Sequence, residues 1–509
     1  MNLAMILDMV ADGMADRVLV GDRATGLTAA DLRTRAVAGA ALVSVAGADR
    51  LVYLGGNGPA FPVALFAATL AGVPFLPLNY RLSADQLDEV MSRQDAPLVV
   101  TDTPERVPGA RTAGLAEFQR LPAAGPAPRS AHDIDPEAVA VLLMTSGTTA
   151  APKSAVLRHR HLVSYLFGSV EFGSAAATDA TLVSVPPYHI AAVANALSNL
   201  YSGRRVAYLD RFTAAGWLDA VEREGITHAM VVPTMLVRIV AELKARGRRA
   251  PAHLRSVSYG GAKISAEVVA EALRLFPDTG FVNAYGLTET ASSVAVLGPD
   301  DHRATVNSPD PAVRARLGSV GRALPAVEIE VRDPAGNPCR PGETGDIVVR
   351  GAQVAGEYVE SGSLVGGDGW FPTRDRGHLD EEGFLFVQGR ADDTIIRGGE
   401  NIAPAEIEDV LSRHEAVLEC AVAGVPDTEW GQRIAAFVVL RPEHRAEPAE
   451  LREWARGRLR GSKTPDDVVL LDELPATPTG KILRRELVAL LQDGLQDGLQ
   501  DGLREGARP

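Results

Sequence analysis

Between residues 50 and 290, apolar runs of strand length alternate with longer segments of helical spacing, and this alternation narrows the fold more than any other feature. Val52-Tyr-Leu54 is a short strand that Gly55-Gly-Asn-Gly-Pro59 turns into a helix over 60–71, after which Gly72-Val-Pro-Phe-Leu-Pro77 leads into another strand. A helix over 83–92 and a strand over 96–102 continue the pattern, and residues 28–49 read as an amphipathic helix before it. Further on, strands at 181–185, 205–209, 227–232, 254–259 and 281–284 are separated by helices at 191–200, 214–224, 234–245 and 267–276. Strands joined by helical crossovers pair in parallel, so the expectation is a doubly wound α/β sheet. Three of these strands end in short-side-chain or aromatic turns: Pro187-Tyr188-His189, Gly260-Gly261-Ala262 and Tyr285-Gly286-Leu287-Thr288-Glu289. Open α/β sheets bind ligands at such strand ends.

The buried-looking strand Ala138–Met144 runs into Thr145-Ser146-Gly147-Thr148-Thr149-Ala150-Ala151-Pro152-Lys153. Short side chains let backbone N–H groups approach an anion, the hydroxyls add donors, and Lys153 adds a charge, which together suit a triphosphate. Pro152 stands where a Walker loop has its second glycine, so this is a different cradle. Taken alone, a polar loop after a strand explains the stretch equally well. A helix over 158–170 is expected to point its N-terminus at the loop and to add its dipole.

From about residue 315, short strands with Gly and Pro turns indicate an antiparallel, barrel-like subdomain, and beyond Arg390 a mixed pattern indicates a small α+β domain. The boundaries expected are 1–390, divided near 314 and 315, then 391–490, then a low-complexity tail over 491–509 with a glycine every fourth residue. A formal charge of −14 argues against nucleic-acid or anionic-membrane surfaces. Two cysteines give no disulfide framework. No basic segment followed by an apolar one opens the chain, and no apolar run reaches the roughly 20 residues of a membrane span. A cytoplasmic protein is expected.

With TSGTTAAPKSA, YGLTET, TRD, GRADD, RGGENI and PTGK in this order, the chain resembles the adenylate-forming superfamily, which includes acyl-CoA synthetases and peptide-synthetase adenylation domains. The resemblance implies a large α/β domain followed by a small mobile α+β domain. It implies an acyl-adenylate made from a carboxylic acid and ATP with Mg²⁺, then attack by the thiol of coenzyme A. Residue by residue, it implies that Thr145, Ser146, Gly147, Thr148, Thr149 and Lys153 hold phosphates. Gly260, Gly261 and Ala262 would face the adenine from one side, with Asn283, Ala284, Tyr285 and Gly286 on the other. Thr288 would hydrogen-bond a phosphate and Glu289 would hold Mg²⁺. Asp375 and Arg390 would take the ribose, Asp392 would be the hinge, and Lys481 would bridge carboxylate and α-phosphate. Arg397, Gly398 and Gly399 would line the coenzyme A tunnel. Tyr188 and His189 would gate an acyl pocket walled by Val193, Val232, Tyr259 and Gly260.

Each of these residues has a plainer role open to it. Lys481 could be a solvated lysine, Glu289 a helix-start acid, His189 a satisfied loop histidine and Asp375 a turn former. Two positions depart from the pattern, since Ala150 and Ser154 stand where the family usually has glycine. Either they repack harmlessly, or adenylation is weakened and the chain thioesterifies an acyl-adenylate supplied by a separate adenylating enzyme. A noncatalytic acyl or nucleotide binder on the same fold is the third reading. The small residues Ala191–Ala196 suggest a wide pocket for a medium-to-large apolar acid. Val231-Val232-Pro233 offers no aspartate for an amino group, which ranks acyl-CoA synthesis above amino-acid activation.

Overall fold

The computed structural model describes residues 1–123, 125, 127–145, 153–428, 430–442, 444–477 and 482–491. Ser146, Gly147, Thr148, Thr149, Ala150, Lys481 and nearly all of the tail therefore lie outside the described residues. The chain forms two compact units, one of residues 1–261, 270–330 and 348–373 and the other of 262–269, 331–347 and 374–509. It passes from one to the other inside the strands Val327–Arg332, Gly345–Gly351 and Phe371–Leu379. A large α/β unit and a small α+β unit are what the sequence led us to expect.

The large unit contains two sheets. In the eight-stranded sheet, Val139–Thr145, Phe75–Pro77, Arg50–Tyr53, Pro97–Val100 and Arg111–Ala113 lie side by side in parallel. The helix Ala60–Ala71 that crosses over this sheet is buried along its whole length. Its all-round apolar composition matches that burial, and Gly72 ends it at φ 71, where a side chain would be strained. Helix Ala29–Val45 starts at a capping box in which the Thr28 hydroxyl accepts from the Asp31 N–H and the Asp31 carboxylate accepts from the Thr28 N–H.

The nine-stranded sheet sets the position of the site. Its parallel centre runs Gly280–Leu287, Ser256–Gly260, His228–Val231, Ala180–Val183, Arg205–Tyr208. From Ala180–Val183 the chain winds first to Arg205–Tyr208 on one side, then returns to His228–Val231 on the other. The winding direction therefore reverses beside Ala180–Val183, and loops leaving the carboxyl ends there diverge to leave a crevice.

One expectation fails here. The segment Lys153–Arg158 is not the approach to a helix but a strand, antiparallel to Val139–Thr145, with Thr145 opposite Lys153 and Val139 opposite Arg158. The helix that follows, His159–Ser169, starts at the far end of this hairpin. At about 3.3 Å per residue, six strand residues put its N-terminus roughly 20 Å from the loop, so its dipole contributes nothing there. The short apolar run Ala155-Val156-Leu157, buried at every position, was the signal for a strand.

In the small unit, Val417–Asp427, Gly431–Leu440 and Asp467–Leu470 form a three-stranded sheet. Ile407 and Leu411 of helix Pro404–Leu411 and Leu451 of helix Pro448–Arg456 pack with Val422, Ile434 and Val438 into one core. A two-residue Gly398-Gly399 turn joins Ile395–Arg397 to Glu400–Ile402.

Candidate active site

The reversal in the nine-stranded sheet brings sequence-distant turns to one edge of the large unit. Ala180–Val183 leads to Tyr188 and His189, His228–Val231 leads to Val232, Ser256–Gly260 ends at Gly260, and Gly280–Leu287 delivers Thr288 and Glu289.

The last of these strands does not stop where the apolar pattern stops. It continues through Tyr285, Gly286 and Leu287, paired antiparallel with Ser292–Leu297, and its register slips between Tyr285 and Gly286. Thr288–Thr290 forms a single 3₁₀ turn, and Ala291 and Ser292 hold positive φ values of 54° and 122°. Such backbone is strained for non-glycine residues, and it survives because its neighbours fix it. The Thr290 hydroxyl accepts from the Leu287 N–H at 2.9 Å, and Gln353 Nε2 donates to the carbonyls of Thr290 (3.0 Å) and Ser293 (2.8 Å). The carbonyl of Glu289 accepts from the N–H groups of Ala355 (2.8 Å) and Gly356 (3.0 Å). At its side chain, Oε1 accepts from the Tyr358 hydroxyl. Tyr358 also receives Lys153 over its ring, with Nζ 5.6 Å from the centroid. One tyrosine thus links the phosphate-loop lysine to the expected metal carboxylate.

Both ends of that loop are anchored. Thr145 and Lys153 face each other across the hairpin, and the Thr145 hydroxyl donates to the Lys153 carbonyl at 3.3 Å. Ser154 sits in extended strand backbone opposite Met144, and its N–H donates to the Glu360 carboxylate at 2.9 Å. A Cβ at 154 therefore carries no left-handed strain.

Two of the expected nucleotide glycines are required by the sheet itself. A Cβ on Gly260 would lie 2.1 Å from the Ala284 carbonyl oxygen, and one on Gly286 would lie 2.0 Å from that of Ser292. Gly261 differs, because it turns at φ 86 into open space. Asn283 Nδ2 donates to the Ser319 carbonyl at 3.1 Å, and Ala284 and Tyr285 are half-buried beside it.

On the acyl side, His189 caps helix Ile190–Ser202, its Nδ1 accepting from the Ala191 N–H at 3.2 Å. That bond leaves the ring proton on Nε2, and burial pushes the imidazole down to about 4, so it is neutral at pH 7. Tyr188 packs edge-on against Tyr80 at 5.9 Å, and burial pushes its hydroxyl up to about 12. Val232 is buried at the start of helix Pro233–Ala245. Two of the expected wall residues are fully buried. Val193 is 0% exposed on helix Ile190–Ser202, on which Asn195 is half-buried. Tyr259 is also 0% exposed, and its hydroxyl pairs with His302 Nε2 at 2.9 Å. Strand alternation puts that ring on the opposite face from Ser258 and Gly260.

In the small unit, Asp375 and Arg390 stand opposite each other in one antiparallel ladder, with Arg390 Nη1 3.4 Å from Asp375 Oδ1. Arg374, just before Asp375, takes φ 62 without being glycine. Arg390 also lines a cavity of about 290 Å³ with Arg376, Gln388, Thr394 and Lys463. Asp392 lies in the 3₁₀ turn Ala391–Asp393, the first turn after the Leu385–Arg390 strand. Gly398 and Gly399 hold φ values of 55° and 85°, the geometry of a two-residue hairpin turn that glycine alone adopts without strain. Arg397 is engaged with Asp466, Nη2 to Oδ1 at 2.9 Å, and leans over Trp430. Ala262 belongs to this unit, apart from Gly260 and Gly261.

Among the described residues, no three His, Cys, Asp or Glu side chains converge as a ready metal cage. One carboxylate is nonetheless what Mg²⁺ asks for when substrate phosphates and water complete its octahedron, so Glu289 fits. No helix among the described residues is long and apolar enough to cross a membrane. Sequence reasoning missed Tyr358 and Gln353. Their bonds to Glu289, Thr290 and Ser293 span 60 residues or more, which leaves no local signal.

Residues 7–359 match the AMP-binding enzyme family, and residues 406–481 match the AMP-binding enzyme C-terminal domain. The chain is 36% identical over 479 residues to a feruloyl-CoA synthase of an Amycolatopsis species, covering 91% of this chain and 94% of that protein. It is similar to the o-succinylbenzoate CoA synthetase of Bacillus subtilis in complex with its acyl-adenylate intermediate, at TM-score 0.80 and 28% identity over 95% of this chain and 97% of that one. That enzyme is also similar in its complex with ATP and magnesium ion. ATP-bound MatB from Rhodopseudomonas palustris gives TM-score 0.83 and 27% identity over 97% of this chain and 99% of that one.

Proposed function

The chain belongs to the AMP-binding enzyme family, and on that premise we propose that it joins a medium-to-large apolar carboxylic acid to coenzyme A in two half-reactions. It is an acid–thiol ligase of the acyl-CoA synthetase type, working through an acyl-adenylate with ATP, Mg²⁺ and coenzyme A. In the first step a carboxylate oxygen attacks the α-phosphorus and pyrophosphate leaves. In the second the thiol sulfur attacks the acyl carbonyl, the C–O bond to phosphate breaks, and AMP leaves.

The observation that carries this reading is the pairing of Lys153 and Glu289 on Tyr358 at the edge where the parallel strands end. Lys153 and the loop after Thr145 hold the phosphates, while Tyr358 fixes the direction of the Glu289 carboxylate. Mg²⁺ on Glu289 would neutralise phosphate charge. His189, neutral with its proton on Nε2, can donate to the substrate carboxylate without trapping it in a strong ion pair. Lys481 supplies the cation for the charge that builds at the α-phosphate. We place the hinge at Asp392, about which the small unit turns between half-reactions, and the thiol's path at Gly398 and Gly399.

The alternative of a thioester-forming half-enzyme rested on Ala150 and Ser154. Ser154 lies in extended strand, where glycine is not required, which favours a complete synthetase. The test is to supply ATP, Mg²⁺, coenzyme A and a panel of apolar acids and to follow AMP and acyl-CoA by mass spectrometry. ATP-dependent acyl-CoA from at least one acid is expected. Nucleotide and acyl binding with no turnover on any acid would establish the noncatalytic reading instead.

A further inference from the structure

In the small unit one guanidinium ties three elements together. Arg484 Nη1 donates to Asp393 Oδ2 at 3.2 Å, Nη2 to Glu408 Oε1 at 2.6 Å, and Nε to the Val422 carbonyl at 3.0 Å. These partners belong to the 3₁₀ turn Ala391–Asp393, the helix Pro404–Leu411 and the strand Val417–Asp427. Glu408 is itself held, since the same Oε1 accepts from the Val422 N–H at 2.9 Å, and its side chain is 12% exposed. A planar fork with donors in fixed directions can meet three such acceptors at once, which a single ammonium cannot. Bonds from a charged donor to carboxylates are also the stronger kind.

The chain on either side of Arg484 is pinned as well. Ile482 bridges Ala476 in antiparallel fashion, and the Leu483 N–H donates to the Pro475 carbonyl at 2.8 Å. Leu487 is fully buried in one cluster with Ala421, Ala423, Val425 and Phe437 of the three-stranded sheet. Ile482 follows Lys481 directly in the sequence, so the bridge that closes off the Lys481 segment lies two residues from Arg484. At its other end the guanidinium holds Asp393, the neighbour of Asp392. No residue of the turn Ala391–Asp393 is buried, so apolar packing does not fix the turn against the core and polar bonds such as this one must.

We propose that Arg484 is a positioning residue for adenylation, setting the base of the Lys481 segment against the turn that holds Asp392. That role presumes the acyl-CoA synthetase reading above, with Lys481 acting in the first half-reaction. Arg484 acts through Lys481 rather than on the substrate. A cation stabilises the charge building at the α-phosphate only when it stands in the right place, and Arg484 fixes the chain next to that cation. Its loss slows pyrophosphate release. Attack of the thiol on a preformed acyl-adenylate, in which Lys481 has no part, proceeds.

The test measures the two half-reactions apart: acid-dependent pyrophosphate release from ATP, and acyl-CoA formation from a synthetic acyl-adenylate. Arg484→Met should slow the first about a hundredfold and leave the second within about threefold. Arg484→Lys keeps a charge beside Glu408, so its urea midpoint should lie closer to wild type than that of Arg484→Met, yet pyrophosphate release should stay about tenfold slow or worse. Asp393→Ala removes only the link to the turn and should slow pyrophosphate release about tenfold; combined with Arg484→Met it should add no further loss. Because Asp393→Ala leaves the Glu408 pair in place, it decides the matter even where Arg484→Met does not fold. Equal loss in both half-reactions, or Asp393→Ala with wild-type pyrophosphate release, overturns the positioning role and leaves the synthetase reading intact. No pyrophosphate from the wild type with any acid of the panel removes that reading and this inference together.

Discussion

Adding one methyl group at Gly286 should disable adenylation with little change in global structure. The new Cβ would lie 2.0 Å from the Ser292 carbonyl oxygen, 2.6 Å from the Ser292 carbonyl carbon and 2.7 Å from Ser293 Cα. A tolerable carbon–oxygen contact is about 3.3 Å, so one strand must move by roughly 1.3 Å. Ala291 and Ser292 already sit at positive φ, and Gln353 ties Thr290 and Ser293 from the other side. The displacement therefore passes into the turn that carries Thr288 and Glu289. Overpacking of this kind destabilises by about 1–3 kcal/mol. Misplacing reacting groups by about 1 Å slows chemistry about a hundredfold, or about 2.7 kcal/mol of barrier. Acid-dependent pyrophosphate release by Gly286→Ala should thus fall about a hundredfold while the circular dichroism spectrum stays native. Gly261→Ala is the control, because its backbone is left-handed (φ 86) but no heavy atom lies within 4 Å of the new Cβ. It should pay only local strain of about 1–2 kcal/mol in stability. Gly286→Ala with pyrophosphate release within about threefold of wild type would refute the claim that this contact positions the turn.

Tyr358→Phe removes the hydroxyl that orients Glu289, and the Mg²⁺ concentration for half-maximal adenylation should rise about tenfold with the fold unchanged, as an Mg²⁺ titration would read. Lys481→Ala should lower AMP release from acid and ATP by about two to three orders of magnitude while thioester formation from a synthetic acyl-adenylate stays within a few-fold; equal loss in both assays would remove its assigned role. His159 and His161, 2% and 1% exposed, are pushed by burial down to about 4 and about 3. Both bind protons in the unfolded chain first, so stability holds above pH 6.5 and falls as pH drops below it, by about 2 kcal/mol for each by pH 5. Urea midpoints at pH 7.5, 6.5 and 5 test this, and a midpoint unchanged at pH 5 would contradict it.

Much of the fold was legible because its signals are local. The helix over 60–71 was read to its final bounds, since an apolar run between Pro59 and Gly72 has clear ends. The helix over 214–224 was equally clear, with Thr213 accepting from the Gly216 N–H and Gly225 turning at φ 61. The hairpin after the phosphate loop was missed because register lies in the pairing of two strands rather than in either strand alone. Motif residues identified the strand ends that carry the site. What the motifs do not state is the packing around them: Gly260 and Gly286 lie against neighbouring carbonyls, and Tyr259 and Val193 are fully buried.

The central claim is that one chain performs both half-reactions, and it is tested most directly by giving the purified protein the same acyl group in two forms. One reaction contains the free acid with ATP and Mg²⁺, the other the synthetic acyl-adenylate, and both contain coenzyme A. The account predicts acyl-CoA from both at rates within about tenfold, with one AMP released for each acyl-CoA formed. Acyl-CoA from the adenylate alone, across every acid that the adenylate series shows to be accepted, would contradict it.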